Sequence, residues 1–95
     1  MPRYVLTCID KPSSLSLRMA TREAHLAYVR GHGQTIVAAG PLLDDAGDMN
    51  GSLFLIDAPD SGAIEAFSLA DPYRQAGLFE RVEIRLWRQT LGAPI

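Results

Sequence analysis

The sequence predicts an α+β fold: an antiparallel sheet of four strands in the order β-α-β-β-α-β, with both helices on one face, the ferredoxin-like arrangement. Three observations carry this. Segments rich in β-branched and aromatic residues recur at Arg3–Ile9, Thr35–Leu43, Gly51–Ala58 and Phe79–Gln89, the composition of strands. Apolar residues at helical spacing fill the stretches between the first pair and the last pair of these segments. The middle pair is joined by the polar run Asp44–Asn50, which reads as a hairpin connection.

Taken in order, the first strand sends Tyr4, Leu6 and Cys8 to one face and Val5, Thr7 and Ile9 to the other. Both sets are mostly apolar, as in an inner strand covered on both sides. Cys8 is read as packing rather than as a nucleophile, since free cysteine is commonly buried. Asp10-Lys11-Pro12-Ser13-Ser14 has loop composition. Leu15 to Met19 reads as a short helical turn, and Thr21 as the cap of a longer helix running to about Arg30. Leu26 and Val29, with Ala24, Ala27 and Tyr28 beside them, form its apolar stripe. Gly31-His32-Gly33 ends that helix, as glycine commonly does, with His32 facing solvent. Gly40-Pro41 interrupts the second strand and marks a bulge, a strand end or a sheet edge. The acids of Asp44–Asn50 lack the alternating spacing and terminal glutamate of a calcium loop. Asp60-Ser61 cap the second helix, which places Ile64, Phe67 and Leu69 inward and Glu65 outward. In the last strand Val82, Ile84 and Leu86 face one way, with Glu83, Arg85 and Trp87 opposite.

The 95 residues are expected to form one domain, 1–95. A net charge of −2 with 9 basic residues argues against a surface for a phosphate backbone, so no nucleic acid is expected as a partner. No apolar run approaches the roughly 20 residues needed to cross a bilayer, and the N-terminus lacks the order of a signal peptide. A single cysteine excludes an internal disulfide and suits a reducing compartment, so the cytoplasm is the expected location. Two helices cover only one face of the sheet, yet Val5, Ile36 or Val37, and Leu53-Phe54-Leu55-Ile56 supply apolar side chains to both. An uncovered apolar face marks an interaction surface, and the expected solution is a homodimer packed sheet on sheet.

The candidate chemistry centres on Leu69-Ala70-Asp71-Pro72-Tyr73-Arg74-Gln75-Ala76-Gly77-Leu78. Pro72 fits the first turn of a short helix, Asp71 before it is placed to cap that turn, and Gly77 ends it in a left-handed conformation. Asp71 gains a second meaning only with a partner. The candidate is His25, mid-helix on the shoulder of the apolar stripe, with Arg22 three residues before it on the same side.

Arg22-x-x-His25-Leu26, Gly40-Pro41, Gly51-Ser52 and Asp71-Pro72-Tyr73-x-x-Ala76-Gly77 resemble, in order and approximate spacing, the motifs of the YciI-like (YCII-related) proteins. The resemblance covers nearly the whole chain and departs from the pattern at Glu23 and Leu86, where proline is common in relatives. It implies a dimeric α+β barrel fold and an active-site dyad formed by His25 and Asp71, with Arg22 and Tyr73 flanking the same pocket.

Two functions compete on these residues. One is an enzyme without metal or organic cofactor, in which His25 is general base or acid and Asp71 holds its tautomer. Arg22 would grip a carboxylate or phenolate of a small substrate by a forked contact. The reaction class is then proton abstraction with elimination or isomerisation, by analogy with the lactone isomerases and small monooxygenases among dimeric α+β barrels. The other is a non-catalytic small-molecule-binding or accessory domain using the same pocket. An RNA-binding module of this fold needs exposed aromatics on the inner strands and a basic surface; the inner strands here offer Phe54 and the charge is negative.

Overall fold

A computed structural model describes residues 1–95, in the order β1 (Arg3–Asp10), α1 (Leu15–Arg30), β2 (Ile36–Leu43), β3 (Met49–Asp57), α2 (Ser61–Ala70), α3 (Pro72–Gln75) and β4 (Phe79–Leu86). The strands form one antiparallel sheet in the order β2-β3-β1-β4, which is the ferredoxin-like fold. No helix is long and apolar enough to cross a membrane.

Pairing register fixes what each face carries, because residues directly opposite one another point to the same side. Tyr4, Leu6 and Cys8 pair with Ile56, Phe54 and Ser52 on one side and with Leu86, Ile84 and Val82 on the other. This face meets the helices, and Tyr4, Leu6, Cys8, Phe54 and Ile56 form the core with Ile64 and Phe67 of α2. The opposite face presents Val5, Thr7 and Ile9 of β1 beside Leu53 and Leu55 of β3, with Arg81, Glu83 and Arg85 along β4. No helix covers it. The Cys8 thiol is sealed inside, and burial pushes it up to about 12, as expected of a packing residue.

Several local expectations give way. The helix after β1 is a single element from Leu15 to Arg30, with no break at Thr21, whose hydroxyl donates to the Leu17 carbonyl within it at 2.9 Å. No residue in that stretch interrupts the backbone ladder, so nothing needed capping. The C-terminal Gly31 is right-handed, at φ −66°, and closes α1 through its amide to the Ala27 and Tyr28 carbonyls, with the His32 amide on the Val29 carbonyl, rather than by a left-handed turn. Leu69 is exposed while Ser68 is buried, because position i+4 from Ile64 lies under α2 and i+5 has rotated away. Strand β4 ends at Leu86, short of Gln89, and Asp10 is the last residue of β1 rather than part of a loop. Pro41 lies within β2, an edge strand, where a missing ladder donor is tolerated. Val37 is the extra residue of a bulge between Ile36 and Ala38.

Candidate functional site

Helix α1 buries polar groups against the sheet. Its two buried residues are Arg18 and His25, while Ala24 and Ala27 of the expected apolar stripe face solvent. Positions 18, 22 and 25 follow one another at four and three residues, so they share a helix face. That face overhangs β2 and β3 and leaves a cavity of about 140 Å³ between them. Arg18, Arg22 and His25 line it from above, Ser52 and Phe54 from the sheet, Ala39-Gly40-Pro41 from the edge strand and Tyr73 from α3.

Asp71 stands where α2 stops and α3 begins, its extended backbone at φ −64°, ψ 126° turning the chain. Its Oδ1 accepts from the Tyr73 amide at 2.9 Å, the expected cap. The same oxygen lies 2.8 Å from His25 Nδ1, so the cap and the partner of the histidine are one atom. Asp71 is 1% exposed, so its carboxylate is screened from solvent. With Nδ1–H donating to the carboxylate, Nε2 of the neutral ring is the basic nitrogen. No buried side-chain nitrogen or oxygen lacks a partner, so Nε2, which has none within the chain, is reached from the cavity. The imidazole is held flat against the Tyr73 ring, with centroids 3.9 Å apart and planes at 18°. Phe54 meets it edge-on at 6.0 Å.

Arg22 is half-buried at the cavity wall and makes no ion pair with any acid of the chain. Its guanidinium is therefore free for a ligand. Arg18 is the opposite case. It donates from Nε to Asp10 Oδ2 at 2.7 Å, and from one terminal nitrogen to Asp10 Oδ1 and to Ser52 Oγ, both at 2.9 Å. Its guanidinium carbon lies over the Tyr73 ring, 4.5 Å from the centroid. Burial pushes the Tyr73 phenol above its ordinary range, against the pull of the Arg18 and Arg22 charges.

The structure thus brings His25, Arg22 and Tyr73 to one cavity, with Asp71 buried behind His25. It adds Arg18, Asp10 and Ser52, which sequence reasoning missed. The one available signal was the helical spacing of Arg18, Arg22 and His25. A shallower hollow of about 710 Å³ near Arg3, Asp57 and Trp87 is larger. There Asp57 is spoken for by Arg3 at 2.8 Å, which holds its carboxyl below the usual range, and no histidine lines it.

Residues 2–88 match the YCII-related domain. Protein YciI of Escherichia coli O6:H1 and Protein YciI of Shigella flexneri are each 32% identical over 90% of this chain and 96% of their own. Among solved structures, the 5-chloro-2-hydroxyhydroquinone dehydrochlorinase TftG of Burkholderia phenoliruptrix, in complex with 2,5-dihydroxybenzoquinone, is similar at TM-score 0.86. It is 30% identical, over 93% of this chain and 95% of that one. An antibiotic biosynthesis monooxygenase matches at TM-score 0.57 and 12% identity, over 96% of this chain and all of its own, and shares the fold alone. The fold is that of the dimeric α+β barrel proteins, and the chain belongs to the YCII-related family.

Proposed function

We propose that this chain is a small enzyme that moves protons on single-ring, oxygen-bearing organic anions, with elimination or isomerisation as the outcome. The observation that carries this reading is the His25–Asp71 contact of 2.8 Å opening onto a cavity with a free arginine. Asp71 fixes the Nδ1–H tautomer and stabilises the imidazolium that forms when Nε2 takes a proton. Arg22 binds the substrate's anionic oxygen, and Tyr73 binds and orients the ring. At about 140 Å³ the cavity compares with the ~150 Å³ apolar cavity that takes up benzene, which suits one ring rather than two. The residues named here need no metal or organic cofactor for such a step.

The similarity to a dehydrochlorinase supports the same class, since loss of HCl from a hydroxylated ring begins with proton removal. The test is to offer the purified protein 5-chloro-2-hydroxyhydroquinone and related hydroxylated rings, and to follow chloride release and quinone absorbance. Titration with 2,5-dihydroxybenzoquinone reports binding alone. Release of chloride is the expected result. Binding without turnover across the series would favour the accessory-domain reading, and neither binding nor turnover would remove the site assignment.

The working form is proposed to be a homodimer in the cytoplasm, joined through the helix-free sheet face. Leu53, and not the core residue Phe54, lies on that face. Leu53→Asp is expected to yield a monomer or an aggregate by light scattering. A wild-type mass of 10.4 kDa at micromolar concentration would overturn the dimer.

A further inference from the structure

Arg18 has no part in the proton transfer just described, yet it is among the most buried side chains of the chain. A guanidinium in such a place is retained only when paired and hydrogen-bonded. Asp10 from the end of β1 and Ser52 from β3 supply three hydrogen bonds between them. What the pairing holds in place is a stack. Arg18 lies over the Tyr73 ring at 4.5 Å and His25 lies on it at 3.9 Å. One ring face accommodates one planar group at such distances, so the two occupy opposite faces.

We propose that Arg18 is a positioning residue of the site: seated by Asp10 and Ser52, it backs Tyr73 against His25 and biases the phenol to donate a hydrogen bond to an anionic oxygen in the cavity. A cation over an aromatic face attracts its electron density, and an opposite charge nearby favours the ionised form of a neighbouring acid. Both make the phenol a stronger donor. The charged and titratable groups around Tyr73 are Arg18, Arg22 and His25 of α1 and Asp71 at the start of α3, with Asp10 of β1 behind Arg18. Of these charges Arg18 acts most strongly on the phenol, ahead of Arg22. Arg22 therefore grips the anion directly, whereas Arg18 acts on it through Tyr73.

The purpose of this arrangement rests on the proton-transfer reading, but its measurement does not. The full chain is labelled with 3-fluorotyrosine, whose phenol ionises at lower pH, and titrated by fluorine NMR. The Tyr73 signal is assigned by its loss in Tyr73→Phe. Arg18→Met is expected to move the Tyr73 midpoint upward by about one pH unit or more, and the charge-keeping Arg18→Lys to move it less. Where Arg18→Met fails to fold with Asp10 left unpaired, the Asp10→Asn/Arg18→Met double variant carries the same expectation. A folded variant without the Arg18 charge whose Tyr73 midpoint matches wild type would reduce Arg18 to a structural role. Failure of the enzyme assays above would leave this result standing.

Discussion

Replacing His25 with glutamine is expected to keep the chain folded and to lower turnover by about 10²–10⁴-fold, the usual contribution of a positioned general base. A glutamine amide can still donate to Asp71, so the buried carboxylate keeps a partner, and the side chain still fills space beside Phe54 and Tyr73. What disappears is the ring nitrogen that takes and returns the proton. Asp71→Asn acts on the same step by another route. An amide in place of the carboxylate no longer compensates the imidazolium charge, although its carbonyl oxygen still accepts from Nδ1–H and from the Tyr73 amide. Turnover and ligand affinity measured side by side separate the outcomes. Undiminished turnover in folded His25→Gln would remove histidine as the proton carrier, and unchanged affinity beside lost turnover would confirm it.

Replacing Asp10 with asparagine is expected to produce the largest loss of stability of any single polar substitution in the chain, about 3 kcal/mol. The Asp10 and Arg18 side chains are 4% and 2% exposed at 2.7 Å, so water cannot screen what is left behind. Burial works against the guanidinium charge, and the Asp10 hydrogen bonds and charge outweigh it. Removing the carboxylate charge strands the cation. In a chain of this size the loss corresponds to a fall in Tm of about 12 °C or more, readable by thermal unfolding. Asp10→Leu combined with Arg18→Met should recover much of it, since an apolar pair of similar volume replaces a buried ion pair at little cost. A drop of less than about 1 kcal/mol for Asp10→Asn would show that water reaches the pair.

These two sites differ in how plainly the sequence announced them. The strand alternation of Tyr4, Leu6 and Cys8, the Asp60 cap on the Ala63 amide and the left-handed Gly77 at φ 76° were all legible, because each is set by neighbours a few residues away. The meeting of His25 with Asp71 crosses 46 residues. It was legible only because both helices must lie on one sheet face and because the motifs resemble a family. Asp10 was not legible. Followed by Lys-Pro-Ser-Ser it has the composition of a loop, and its reason for being buried lies eight residues on in Arg18 and 34 beyond that in Ser52. Thr21 and Leu69 misled in the other direction. Each was given a role by residue type, while helix continuity and the angle between i+4 and i+5 decided its place.

The single oxygen that Asp71 shares between the Tyr73 amide and His25 Nδ1 gives the site a built-in reporter. A proton gained at Nε2 tightens the ring's hold on that oxygen and weakens its bond to the amide. The Tyr73 cross-peak in an amide correlation spectrum should therefore shift when a ligand delivers a proton to the imidazole, beyond the shift the same ligand causes in His25→Gln, where it only fills the cavity. One backbone resonance then distinguishes chemistry from occupancy without any label on the substrate.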